Sequence, residues 1–462
     1  MKIVIGGNGI IGMFAAYRVL QKIPDASVVL IGPSNRMGSA TLAAAAMLAS
    51  FGEIEANVIS NDVLIKRQRF NQSATSLWPD IIAELTSESG EGIDYGMGTT
   101  IINSTSANIL DDINFEAIGK WLHLENEEHY FIDPREIAGY RPSPRFRALR
   151  AIYMPNEGWI DPSNLVSALN SFLLKSNRCQ IMDSSLKRMM HNDNQLLGFE
   201  LESGEKVSGD IYLLCPGASI QSIVECSDLP FQMPRILYGV GVTITVRPQS
   251  DSIVNCLRTP NRGLACGIYS VPRANGDVVF GATSAVWDSE RLHPTLNNVH
   301  TLVQNCRREV DTFLDRAEFV TSKLGWRPVS EDTLPLLGET PFPNLIIADG
   351  MRRDGLHCSP LIADIFVALI SKAVLPFDIS DYRPDRTLTS ILSYAEGIRQ
   401  GVDSMVSALY QHDFEAGHQN TIDSLTSYFR LKVEKIHEAN GYQDSGIPPE
   451  LLSYYDFKSK NA

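Results

Sequence analysis

The chain is poor in the features that mark secreted, membrane-spanning or metal-hydrolysing proteins. Its 462 residues hold seven cysteines, Cys179, Cys215, Cys226, Cys256, Cys266, Cys306 and Cys358, with neither a paired framework nor Cys-x-x-Cys. Reduced, mostly structural thiols are therefore expected. No apolar run approaches the roughly 20 residues of a membrane span, and strand-like sequence begins at Lys2, which leaves no room for a cleavable signal peptide. A cytoplasmic protein without a membrane partner is expected. Neither His-Glu-x-x-His nor Gly-x-Ser-x-Gly nor a Walker A pattern occurs, so zinc hydrolysis, serine hydrolysis and nucleoside-triphosphate chemistry lose their usual signatures, and no metal is expected. Positive charge is also short. With 40 Lys and Arg against 54 Asp and Glu, the formal charge of −14 argues against nucleic acid as a partner.

What is present starts at once. The apolar run Lys2-Ile3-Val4-Ile5 breaks into Gly-x-Gly-x-x-Gly at Gly7, Gly9 and Gly12, followed by an apolar helical stretch, Ile10 to Leu20, and a second strand, Val28 to Ile31. In this β-α-β setting Gly7 permits a tight turn, Gly9 admits a pyrophosphate to the backbone, and Gly12 lets the helix pack on the strand. The pyrophosphate would sit at the positive end of that helix. A ribose-binding acid is expected at the end of the second strand, but Gly32-Pro33-Ser34-Asn35-Arg36 stands there. Ser34 and Arg36 would suit a 2′-phosphate and NADP; alternatively Arg36 is a solvated loop residue.

This length makes two domains the default. The segments predict an α/β core interrupted by a β-rich insert. Small side chains run from Ala43 to Ala49, read either as a cofactor wall or as a close-packed helix start. Residues 51 to 150 are mixed and helix-rich. Gly158 to Ser163 leads into a helix, Asn164 to Leu174, with Asp161 or Ser163 as N-cap. A strand, Ile211 to Leu214, ends at Cys215-Pro216-Gly217. Residues 226 to 320 read mainly as β, with strands Gly239 to Val246, Tyr269 to Pro272 and Asp277 to Phe280, and close with a helix from about Asn297 to Leu314. Gly325-Trp326-Arg327-Pro328, a strand Leu345 to Ala348, the loop Gly350 to Gly355 and a helix Leu361 to Ala373 follow. Beyond 387, Ile391, Tyr394, Ile398, Val402, Met405 and Leu409, then Ile422, Leu425, Phe429 and Ile436, predict two amphipathic helices, either a packed hairpin or a surface for a homo-oligomer.

Taken in order, these pieces resemble the family of FAD-dependent amine and amino-acid oxidases, which includes glycine oxidase, D-amino-acid oxidase and sarcosine oxidase. The matching segments are Gly7 to Gly12, Ala43 to Met47, Gly158 to Pro162, Cys215 to Ala218, Tyr269 to Arg273 with Val279 to Thr283, Gly325 to Pro328, and Gly350 to Gly355. They span about residues 1 to 386. The resemblance implies an α/β fold in which a Rossmann-type FAD-binding domain (1–50, 151–225 and 321–386) is interleaved with a β-rich substrate domain (51–150 and 226–320), followed by a helical C-terminal extension (387–462). It also implies FAD, held without a covalent bond.

The same resemblance assigns residues. Gly7, Gly9, Ile10, Ile11 and Gly12 would hold the pyrophosphate. Ala44, Ala45, Ala46 and Met47 would line the flavin with Gly217, and Gly350, Arg352, Arg353, Asp354 and Gly355 would bring backbone amides to the ring. Ser34 and Arg36 remain candidates for the adenosine end. Arg327 matches an arginine that clamps a substrate carboxylate through two parallel hydrogen bonds, and Tyr269 a tyrosine over the same pocket. Other readings stand beside these: Arg327 paired with Glu331 or Asp332, Tyr269 packed in its sheet, Arg353 either touching substrate or in a salt bridge with Asp354, and His357 and Cys358 packed or linked to flavin. The expected reaction is hydride transfer from the carbon bearing an amine to flavin N5, with O2 as acceptor, H2O2 as product and a small amine or amino acid as substrate. A 2-hydroxy-acid dehydrogenase and a flavoprotein subunit acting mainly through a partner are the rivals.

Overall fold

The computed structural model of the chain describes all residues except 105–108, 264–266, 413, 416 and 462. Its first elements are strand β1 (Lys2–Gly6), helix α1 (Ile10–Lys22) and strand β2 (Ser27–Ile31). All but the first residue of each strand is buried, as parallel strands covered on both faces must be. β1 lies inside a six-stranded sheet ordered Leu336–Glu339, Leu345–Asp349, Ile211–Leu214, β1, β2, Cys179–Met182, in which only Leu336–Glu339 runs antiparallel. Phe14, Tyr17, Leu169 and Phe366 fill the layer between this sheet and its helices α1, Pro162–Lys175 and Ser359–Ile370. Phe199, Tyr212 and Phe342 fill the opposite face, under a small sheet of Leu186–His191, Leu196–Leu201 and Lys206–Val207. Each such side chain contributes on the order of 1.5–3 kcal/mol by leaving water. Asp161 caps its helix by accepting from the Ser163 and Asn164 amides.

A ten-stranded sheet forms the second layer system, from Ala285–Trp287 through Ile236–Arg247 and Tyr269–Pro272 to Tyr95–Ser104, Ala148–Ile160 and Met47–Leu48. The boundaries expected at 151 and 321 fall inside Ala148–Ile160 and Glu318–Ser330, and both of those strands pair within this sheet. Gly325 to Pro328, a motif to which the sequence assigned no element, is part of the strand Glu318–Ser330. Pro328 is tolerated because that strand has a full ladder on one side only, with single bridges Ser39–Trp326 and Val329–Met351 on the other. Two further readings are corrected. The alanine run does not start a helix at Ala43; the helix is Ala40–Ala43, capped by Ser39, and the chain then turns extended at Ala44. The helix expected to Leu314 ends at Glu309, since Asp311 is extended and caps the Phe313 amide.

The extension contains helices Tyr394–Gln411, Gln419–Ala439 and Leu452–Asn461. Ile398, Val402, Val433, Ile436, Leu451 and Leu452 pack on Leu237, Val286 and Val329 of the ten-stranded sheet. Of the two amphipathic stripes, Ile398, Val402 and Ile436, with Tyr394, Met405 and Phe429 beside them, are engaged within the chain. Leu452–Asn461 escaped the sequence reading because LSYYDFKSKN has no apolar stripe of helical period. Cys179, Cys215, Cys226, Cys256, Cys306 and Cys358 are free, and Cys266 lies outside the described residues. Among the described residues no helix is long and apolar enough to cross a membrane.

Candidate active site

One cavity of about 340 Å³ runs from the turn after β1 to the strand carrying Arg327. That is ligand-sized. At its first end Gly7 has φ +137°, and a Cβ there would lie 2.3 Å from the Cys215 carbonyl oxygen. A Cβ on Gly12 would lie 1.8 Å from the Gly7 carbonyl oxygen, so Gly12 serves the contact between α1 and β1 and not the cavity. A Cβ on Gly9 meets nothing within 4 Å. The N-cap Gly9 offers no side-chain cap and the Ile10 amide donates to Thr41 Oγ1 at 3.3 Å, while Gly9, Ile10 and Ile11 line the cavity, where the positive end of α1 faces an anion. The missing acid has a physical cause: a Cβ on Gly32 would lie 2.2 Å from Asn8 Cγ, whose amide donates to the Pro33 carbonyl. Arg36 lines the cavity and donates to the Asn8 carbonyl at 2.8 Å. Ser34 is not on the cavity wall; it is exposed, and its amide donates to Asp183.

The cavity is further walled by Ala44, Ala45, Ala46 and Met47 and by Gly217 and Asp349. Arg273 donates to the Ala45 carbonyl at 2.9 Å and Thr243 Oγ1 to that of Ala43 at 3.2 Å, so the second sheet fixes this run. Asp349 was missed by sequence reasoning, although it ends a strand directly before the Gly350 loop. It accepts from the amides of Gly217 and Gly350 at 2.8 and 2.7 Å, yet burial drives its carboxyl up to about 7. A raised folded pKa means stability that is complete below the ordinary carboxylate range and lost as pH rises through about 7. In the apoprotein, Asp349→Asn is expected to flatten the fall of melting temperature between roughly pH 4 and 7. The flattening is partial, because buried Asp111 and Glu157 are raised to about 7 as well. A slope identical to that of the unsubstituted protein would show that Asp349 does not titrate there.

At the far end the Arg327 side chain lies along Gly241, where a Cβ would come within 1.8 Å of its guanidinium. It donates to the Thr283 carbonyl at 2.8 Å and Ser284 Oγ at 3.4 Å. Asp332, one of its expected partners, is instead held by Arg386 at 2.8 and 2.9 Å. The Tyr269 ring packs over Gly281, its cross-strand partner, and also faces the cavity. The expected pairing of Arg353 with Asp354 is corrected: Arg353 meets Glu53 at 3.3 Å and Glu55 at 3.8 Å, while Asp354 pairs with Arg67 at 2.8 Å. Adjacent residues in this tight loop point to different neighbours, and long-range partners win. Burial opposes charge on Glu53, but Arg258 and Arg353 hold its carboxyl down to about 2. Glu53 and Arg67 carried no sequence signal. Arg352, Arg353, Asp354 and Gly355 line the cavity, and Gly350 turns the loop at φ +71° behind it. His357 reaches the wall but is hydrogen-bonded to Thr75, and burial lowers its pKa to about 4. Cys358 contacts Asn71 Oδ1 at 3.2 Å, and burial pushes its thiol well up.

A family model described as FAD dependent oxidoreductase matches residues 2–369. The bifunctional protein ThiO/ThiG of Synechocystis sp. is 26% identical over 399 residues, 84% of this chain, and the chain spans only 54% of that protein's length. Glycine oxidase from Geobacillus kaustophilus is 24% identical over 399 residues, covering 84% of this chain and 98% of its own. A crystal structure of glycine oxidase from that organism superimposes with a TM-score of 0.71 at 20% identity, over 84% of this chain and 99% of the other.

Proposed function

Since the chain belongs to the family of FAD-dependent oxidoreductases, we propose that it oxidises a small carboxylate-bearing amine or amino acid. The observation that carries this is the single cavity joining the glycine cradle to Arg327 and Tyr269. The cradle suits FAD on three counts: the N-terminus of α1 facing the cavity, open space at Gly9 and a wall of small side chains. Gly9, Ile10 and Ile11 would hold the pyrophosphate, and Ala44 to Met47 with Gly217 and the Arg352 to Gly355 stretch would flank the ring. His357 and Cys358, each engaged elsewhere, favour a non-covalent site.

Bound FAD supplies acceptance of a hydride at N5 and its passage to O2, giving H2O2. This chain's residues supply position. Arg327 takes the substrate carboxylate as a fork and Tyr269 covers it, which fixes the carbon bearing the amine. A neutral amine then loses hydride from carbon and a proton from nitrogen, and water hydrolyses the resulting imine. No strong general base is needed, because the amine enters unprotonated. Glycine oxidase and the ThiO/ThiG protein, by their names, support this reading. The test is an anaerobic flavin-reduction screen of amines, amino acids and 2-hydroxy acids, followed by a peroxide assay in air. Bleaching with amines and peroxide release are expected. Bleaching only by 2-hydroxy acids, or by nothing, would overturn it.

A further inference from the structure

The C-terminal extension reaches the substrate end of the cavity. Val329, part of its docking surface, lies two residues beyond Arg327 in one strand, so both project from the same face. Leu237 stands opposite Val329 as Gly239 stands opposite Arg327. The extension's core therefore begins one row of side chains from the proposed carboxylate clamp. From that core Pro448-Pro449-Glu450 turns inward, and the Glu450 carboxylate forms an ion pair with Arg352. The two side chains are 8% and 14% exposed, so little water screens the pair.

Arg352 belongs to both sides of this contact. It lines the main cavity, and it also lines two smaller cavities of about 100 Å³ each, which Glu450 shares. Its amide donates to the Pro328 carbonyl at 2.9 Å, which sets its backbone beside Arg327. Its guanidinium Nε is buried without an acceptor among the described residues. A guanidinium in a ligand cavity, next to a carboxylate clamp, is suited to a second carboxylate unless something already neutralises it.

We propose that Glu450 is a specificity-determining residue: by engaging Arg352 it matches the site to substrates with one carboxylate and rejects a second. The proposal rests on the reading of the cavity as an amine-oxidising site. A pair that merely fastened the extension would, when broken, impair all substrates alike. Selectivity is therefore the quantity that separates the two roles.

N-methylglycine and iminodiacetate differ by one carboxylate and make the matched probes. Glu450→Gln keeps the size and removes the charge, leaving Arg352 to seek another anion. The ratio of kcat/KM for iminodiacetate to that for N-methylglycine is expected to rise about tenfold or more. Adding Arg352→Met should cancel the gain. Glu450→Asp, with the charge on a shorter stem, should shift the ratio less and in the same direction, which keeps the test available if Glu450→Gln does not fold. Binding provides a readout independent of turnover: Glu450→Gln holoprotein should bind malonate about tenfold more tightly, measured calorimetrically, with acetate nearly unchanged. An unchanged ratio and unchanged malonate binding in a folded, FAD-loaded variant would overturn the proposal, as would an unsubstituted protein that takes both amines equally. If neither amine reduces flavin in any variant, the oxidase reading fails, and the malonate comparison still judges Glu450.

Discussion

Gly9→Asp is expected to give a folded protein whose FAD affinity has fallen more than tenfold. Gly9 has φ −67°, accessible to any residue, and a Cβ there touches nothing within 4 Å. The backbone thus accepts a side chain, but the open space it enters is where we propose that the cofactor sits. A carboxylate about 4 Å from a pyrophosphate charge is repelled by about 4 kcal/mol at the effective dielectric of a protein surface. Even a third of that is a factor of about ten. Gly9→Ala, which adds a methyl without charge, should lose far less. Gly12→Ala tests a different thing: its Cβ would sit 1.8 Å from the Gly7 carbonyl oxygen, so it should disturb α1 itself. Flavin absorbance per chain after gel filtration, with circular dichroism as the folding control, distinguishes the three. A folded Gly9→Asp protein with full FAD would remove the cradle as the cofactor site.

Arg327→Ala is expected to lower kcat/KM for a carboxylate-bearing amine by tenfold or more, since a hydrogen bond to a charged group contributes about 1.5–3 kcal/mol. The lysine variant should be nearly as poor. Arg327 is laid flat along Gly241 and oriented by donation to Thr283 and Ser284, which leaves the planar fork in a fixed attitude. An ammonium keeps the charge but has no second parallel donor. Single-turnover flavin reduction in the stopped flow reads the effect directly. Unchanged kinetics in a folded, FAD-loaded Arg327→Ala protein would mean that the site recognises something other than a carboxylate.

Legibility in the sequence followed the range of the interaction. β1, α1 and β2 were readable because apolar runs and glycine spacing are local, and Ile211–Leu214 and Tyr269–Pro272 emerge with the expected bounds. Tyr269 and Arg327 lie on the wall of the cavity that reaches the cradle. Charge partners were not readable. Glu53 meets Arg258 and Arg353, Arg67 meets Asp354, and Arg352 meets Glu450, each across a large stretch of sequence that carries no trace of the contact. Neighbouring charges such as Arg353 and Asp354 invite a local pairing that the loop geometry does not make. The same holds for Gly32, whose lack of an acid follows from the Asn8 side chain folded over it.

The order of strands in the six-stranded sheet bears on how the protein is made. β1 leaves the ribosome well before its second parallel neighbour, Ile211–Leu214, and that strand in turn needs Leu345–Asp349. At 5–20 residues per second, roughly 10–40 s separate the synthesis of β1 from that of its partner. Throughout that interval a nascent Ile3-Val4-Ile5 edge is unpaired on one side, a sticky surface of the kind that chaperones cover. The Asp349 carboxyl that receives the Gly217 amide comes later still, so the nucleotide site cannot close until the strand carrying it has been made.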